Sequence, residues 1–248
     1  MSFQNLEDHV AKEDVLDDFF TLFKPSGGLR EPTRTVLGYA LDIGALLDTI
    51  QLQEEYAFHG GYASLVHLMA LLGPPIALTW RGSTDIDMYG TQEVITTLKR
   101  AYHVESDRKS PNLAKKRTIK LTTLQGQAEP ETKIDFTFGP PEEETVQRHI
   151  LGVPLQVVTP TTLIKNKIPL SKDDKHRVDI INMLWVLENE GVTPAQVCKL
   201  FSPHEKQVLY HLIQSTKGVS TNQRMSLAPS TLYVNTLAHG LRKYNHNL

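Results

Sequence analysis

The stretch Arg81-Gly82-Ser83-Thr84-Asp85-Ile86-Asp87 decides how this chain is read. Asp85 and Asp87 stand two residues apart with one aliphatic residue between them. On a β-strand, that spacing sends both carboxylates to one side and Ile86 to the other, into a core. A second strand with the same logic follows downstream. Lys133 to Phe138 alternates Ile134, Phe136 and Phe138 with Asp135 and Thr137, so Asp135 also faces away from an apolar layer. Upstream, Gly60-Gly61 opens an apolar stretch with Leu65, Met69 and Leu72 at helical intervals, stopped by Gly73-Pro74-Pro75. Small residues and free backbone N–H groups at a helix start let a phosphate approach closely and favour its charge.

Around these pieces the spacing predicts a first helix over residues 6 to 24 and a second from Pro32 through Gln53, with Val36, Ala40, Ile43, Leu47 and Ile50 on one face. Strands are expected at Ile76 to Trp80, Asp85 to Met88, Arg117 to Leu124 and Lys133 to Phe138. From about Glu142 onward the pattern reads as mainly helix, broken at Gly152-Val153-Pro154, Pro160, Pro169, Gly191 and Pro203. The fold class is therefore α+β followed by a mainly helical C-terminal part. The domains are taken as 1-150 and 151-248, with the boundary lying between residues 139 and 160.

The totals narrow the options. With 248 residues, 40% hydrophobic and 22% charged, the chain has the makeup of an ordinary globular protein. Its longest apolar stretch, Leu65 to Leu78, is interrupted by His67 and bent by the Gly-Pro-Pro turn, too short to cross a bilayer. Its first residues lack the basic and apolar parts of a signal peptide, so a cytoplasmic protein is expected. The single cysteine, Cys198, excludes disulfide frameworks and thiolate zinc sites, and is expected to be a small core residue. His204 and His211 are seven apart where a metalloprotease helix needs four, so they read as exposed helix residues. The net charge of −2 hides one basic run, Arg108, Lys109, Lys115, Lys116, Arg117 and Lys120, which contains no acid. Such a run is either a solvated loop or a nucleic-acid contact.

Convergent carboxylates repel one another unless a cation sits between them. Hard oxygen ligands without His or Cys favour Mg²⁺ or Mn²⁺ over zinc. Nucleotidyl transfer uses such a set to hold two metals roughly 3.5 to 4 Å apart, one at the attacking hydroxyl and one at the triphosphate.

In its order of motifs the chain resembles the AbiEii-type nucleotidyltransferases, the toxins of type IV toxin-antitoxin systems, within the DNA polymerase β-like superfamily. The resemblance lies in His59-Gly60-Gly61-Tyr62-Ala63, in Arg81 to Asp87, in Lys133-Ile134-Asp135, and in Lys167 followed by Arg177-Val178-Asp179-Ile180-Ile181-Asn182-Met183-Leu184. It covers roughly residues 56 to 185. It departs where Tyr62 replaces a small hydroxyl residue and where Asn182 replaces a second aspartate, and Lys165 competes with Lys167 for the lysine role. The resemblance implies a DNA polymerase β-like core in which Asp85, Asp87 and Asp135 are the catalytic metal ligands. Gly60, Gly61, Arg81, Ser83, Lys167 and Asp179 would line the nucleotide site. It further implies an NTP such as ATP as donor, Mg²⁺ as cofactor, the 3′ end of tRNA as acceptor, and an antitoxin protein as partner. Two alternatives stay open: a small-molecule acceptor such as an aminoglycoside, and a silent nucleotidyltransferase fold kept as a binding module.

Overall fold

The computed structural model describes residues 31–78, 85–109, 116–122, 132–216 and 229–242. The first helix expected over residues 6 to 24 lies outside them. The chain divides into two compact units that meet in sequence between Val158 and Thr159.

The first unit is built on a mixed sheet. Among the described residues its strands are β1 (Tyr56–Phe58), β2 (Asp85–Gly90), β3 (His103–Lys109), β4 (Lys116–Thr122), β5 (Thr132–Phe138), β6 (Thr145–Ile150) and β7 (Val153–Val158), in the spatial order β3-β4-β5-β2-β1-β7-β6. β2 runs parallel to β5 and β1 parallel to β7; the other neighbours are antiparallel. Alternation sorts the side chains of the central pair. Ile86, Met88, Ile134 and Phe136 are at most 1% exposed, while Asp85, Asp87, Lys133 and Asp135 between them are half-buried on the opposite face.

Helix α1 (Glu31–Thr49) lies across β7, β2 and β5, and α3 (Gln92–Ala101) across β2 and β3. The expected apolar stripe of α1 is in place, since Val36, Ala40, Ile43 and Leu47 are all buried. Gly44 of α1 rests directly on Leu155, where a Cβ would come within 2.2 Å of that side chain. Just past α3, the hydroxyl of buried Tyr102 donates to Asp42 of α1 and ties the two helices together. Between β1 and β2, α2 (Gly60–Leu72) is buried along most of its length.

The second unit is helical: α4 (Pro160–Lys167), α5 (Asp174–Asn189), α6 (Pro194–Leu200), α7 (Pro203–Thr216) and α8 (Thr231–Arg242). Cys198 of α6 is half-buried, with Gly240 of α8 packed so close that a Cβ there would meet its sulfur at 2.9 Å.

The α+β class is as the sequence indicates, but two local readings change. The residues after Glu142 form a β-hairpin before any helix begins. Val153, Leu155 and Val157 alternate with period two, and Leu151 and Gly152 both adopt positive φ, 52° and 81°, the two-residue turn whose twist suits a hairpin. Residues 74 to 78 are a 3-10 turn rather than a strand, because Pro74-Pro75 fixes φ near helical values and removes the donors a strand needs. Trp80 lies outside the described residues. Among the described residues, no helix is long and apolar enough to cross a membrane.

A buried histidine locks α2 to the hairpin. His67 is fully buried, with Nε2 2.8 Å from the Val158 carbonyl oxygen and Nδ1 3.1 Å from Arg148 Nε. Nε2 therefore carries the proton and Nδ1 accepts. Burial, with the Arg148 charge adding, pushes the imidazole down to about 4 despite the opposing bond to Val158. The unfolded chain takes up this proton near pH 6.5 and the folded chain does not, so stability falls as pH drops from 6.5 towards 4. Between pH 7 and pH 5 this group alone removes about 2 kcal/mol. His67→Gln keeps a donor for Val158 and cannot titrate, so its urea midpoint changes less over that range than that of the unsubstituted protein. Parallel pH profiles would show that His67 is not the responsible group.

Candidate active site

β2 and β5 are neighbours in parallel register, with Asp87 beside Asp135 and Asp85 beside Lys133. The three carboxylates proposed from sequence thus share one face of adjacent strands. β4 extends the same face. Thr118 lies opposite Asp135 and Lys120 opposite Lys133, and on the outer side Arg108 of β3 lies opposite Thr118.

The polar contacts on this face are specific. Thr118 Oγ1 donates to Asp135 Oδ1 at 2.7 Å, and Lys133 Nζ donates to Asp135 Oδ2 at 2.6 Å. The same ammonium lies 3.6 Å from Asp85 Oδ2. Its hydrogen bond to Asp135, with the Asp85 charge adding, holds Lys133 above the usual lysine range. Lys133 thus joins the carboxylates as their counter-ion, a role its spacing in the sequence does not announce. Among the described residues, no three His, Cys, Asp or Glu side chains stand close enough to share one metal ion. The donor chemistry nevertheless suits a hard divalent cation: oxygens of Asp85 and Asp135 already gather around one positive charge.

The glycine pair sits against this group. His59 donates its backbone N–H to the Asp87 carbonyl oxygen at 2.9 Å, continuing the β1–β2 pairing by one residue. The chain then turns into α2 through Gly60 at φ +64°, and a Cβ on Gly60 would fall 2.1 Å from Asp87 Oδ2. Only glycine combines that backbone angle with so close an approach. The first turn of α2, whose leading N–H groups have no partner within the helix, therefore opens beside a proposed metal ligand. The side chain of Tyr62 is not part of this opening. It is fully buried, edge-on to Phe58 with ring centroids 5.1 Å apart. The His59 ring instead lies against Tyr89, the next site-face residue of β2, at 4.6 Å. Arg81 and Ser83 lie outside the described residues.

Part of the basic run belongs to the other face. Arg117 is opposite Phe136 and binds both carboxylate oxygens of Asp107, which Lys99 of α3 also contacts. Those contacts, the Arg117 hydrogen bonds foremost, bring the Asp107 carboxyl down to about 2.

In the helical unit, Lys167 and Asp179 meet. Lys167 Nζ donates to Asp179 Oδ2 at 2.7 Å, and the two side chains are 5% and 0% exposed. Asn182, one turn on, is 3% exposed, and its Oδ1 has no hydrogen-bond partner. Lys165 is exposed, with its ammonium 6.0 Å from the centre of the Phe201 ring.

No protein-family model matches the chain, and no curated protein sequence matches it. Solved structures do. An antigenic nucleotidyltransferase-like protein from Paracoccidioides brasiliensis is 14% identical at a TM-score of 0.49, over 80% of this chain and 96% of that one. JHP933 from Helicobacter pylori is 12% identical at 0.46, over 88% and 94%. Cid1, solved in complex with a UTP analogue, is 13% identical at 0.34, over 96% and 75%. At such values the likeness is loose, and function has to be read from the site itself.

The buried pair makes the two lysines separable by experiment. Lys167→Met removes a hydrogen-bonding cation from the buried Asp179 carboxylate and costs on the order of 3 kcal/mol in chemical denaturation. Lys165→Ala, at an exposed position, changes stability by less than about 0.5 kcal/mol. Equal losses would show that the pair does not hold the helices.

Proposed function

We propose that this protein is a metal-dependent nucleotidyltransferase that moves a nucleoside monophosphate from an NTP to a hydroxyl acceptor and releases pyrophosphate. The observation that carries the reading is the register of Asp87 with Asp135, beside Asp85, on the sheet face against which a left-handed glycine opens α2. Acids in register on adjacent strands repel one another, and phosphoryl chemistry employs such a set to hold its metals.

In this reading Asp85, Asp87 and Asp135 hold Mg²⁺ or Mn²⁺, which when bound supplies positive charge to the triphosphate and to the attacking hydroxyl. Asp135 also receives the acceptor proton, and Thr118 fixes its orientation through Oδ1. The leading N–H groups of α2 at Gly60 and Gly61 meet phosphate oxygens, with Arg81 and Ser83 as further phosphate contacts. Lys167 and Asp179 enter as a buried pair that fixes the packing of α4 on α5.

For the acceptor we favour RNA, and the 3′ end of tRNA in particular. Arg108 and Lys120 lie on the face that carries Asp135, on the two strands outside it, where an acceptor backbone could run. The setting as a toxin restrained by an antitoxin rests on the motif resemblance.

Incubation with each α-labelled NTP, Mg²⁺ and total tRNA tests the reading directly: label should move to tRNA. Asp85→Asn and Asp87→Asn should each lower transfer by at least about a thousandfold while leaving the circular dichroism spectrum intact, because an amide keeps the shape and is a poor ligand for a hard cation. Turnover close to that of the unsubstituted protein in either variant would remove that residue from the site.

The acceptor is tested separately. Arg108→Ala with Lys120→Ala should flatten the slope of log tRNA affinity against log salt by about two. Arg117→Ala, on the opposite face, should leave the slope unchanged. The reverse pattern would move the RNA contact to the Arg117 face, and no tRNA binding at all would point to a small-molecule acceptor.

A further inference from the structure

Asp85 and Asp135 lie about one positive charge, and the chain supplies it. Lys133 Nζ is 2.6 Å from Asp135 Oδ2 and 3.6 Å from Asp85 Oδ2. We propose that Lys133 is a built-in counter-ion of the carboxylate group, which a divalent cation must displace, so that this lysine sets the metal affinity of the site. The inference rests on the nucleotidyl-transfer reading of Asp85, Asp87 and Asp135.

The geometry separates a contact that can stay from one that has to go. Both oxygens of Asp135 are engaged, Oδ1 by Thr118 and Oδ2 by Lys133. Thr118 is neutral and β-branched, with few rotamers in a strand, and its hydroxyl can keep Oδ1 while the carboxylate binds a metal. Lys133 carries a positive charge to the place where a metal would bring two more. Its side chain is 40% exposed and flexible, so it can swing into solvent without disturbing the buried face. An NTP arriving with the metal brings negative charge, giving the released ammonium a new partner. Without metal, Lys133 relieves the repulsion that would otherwise act between Asp85 and Asp135.

The test is Mn²⁺ binding to the full chain without nucleotide, followed by electron paramagnetic resonance. Lys133→Met removes the charge at similar length and should tighten Mn²⁺ binding by about tenfold or more. Lys133→Arg keeps the charge and should stay within about threefold of the unsubstituted protein. Measurable binding that Lys133→Met leaves unchanged or weakens would overturn the inference. If Asp87→Asn then abolishes that binding, the carboxylate reading survives without it. If neither the unsubstituted protein nor Lys133→Met binds Mn²⁺ at millimolar concentration, the metal reading falls and the inference falls with it. A second measurement needs no variant. Saturating Mn²⁺ should speed acetylation of Lys133 relative to the exposed Lys165, read by mass spectrometry, because the metal drives the side chain out of its ion pair. An unchanged or slower rate would overturn the proposal.

Discussion

The parallel pairing of β2 with β5 puts Asp87 beside Asp135, a like-charge contact that no isolated strand pair would choose. The other face fixes it. Ile86 lies beside Ile134 and Met88 beside Phe136, all at most 1% exposed, and a slip of one residue would turn the acids into the core and the apolar residues out. Burying four such side chains is worth several kcal/mol, more than the repulsion between partly solvated carboxylates. The hydrophobic layer therefore sets the register, and the charged face follows from it.

The same register governs how closely α2 can approach. β1 is only three residues long, and its pairing with β2 extends through the His59 N–H to the Asp87 carbonyl, delivering Gly60 onto the Asp87 side chain. At the other end of the helix's buried stretch, His67 fastens α2 to Val158 and Arg148 of the β6–β7 hairpin. The helix start is thus held from two sides: by a glycine that admits the approach and by a neutral histidine that fixes its distance from the sheet edge. For the proposed function that rigidity matters, since the orientation of its N–H groups is most of what a helix start offers a phosphate.

The sequence showed much of this arrangement because its signals are local. The spacing of Asp85 and Asp87 and the alternation in Lys133 to Phe138 speak for themselves. What it hid depends on partners distant in the chain. Tyr56, Ala57 and Phe58 are all buried and show no alternation, so β1 has no strand signature. The β6–β7 hairpin looked like a break because Gly152 and Pro154 both punctuate helices, yet here Gly152 makes the turn and Pro154 sits within a strand. Lys133 became visible as a counter-ion only once β5 lay beside β2. The basic run looked like one patch, but β4 is a strand, so Arg117 turns to Asp107 on one face while Thr118 and Lys120 belong to the other.

The two lysines near the end of α4 show the opposite case, where the sequence held more than was read from it. Residues two apart on a helix point about 200° apart, so Lys165 and Lys167 cannot share a face. Leu163 and Ile164 are buried, and from Leu163 the positions that continue their stripe are Ile164 and Lys167, at steps of one and four. Lys167 is therefore driven inward by its apolar neighbours, and a lysine forced inward needs an acid. The acid that answers is Asp179, on the helix that packs against α4. The spacing alone picks out the inward lysine without appeal to any relative. It also makes the lysine expected at the nucleotide site one half of a buried ion pair that holds two helices together.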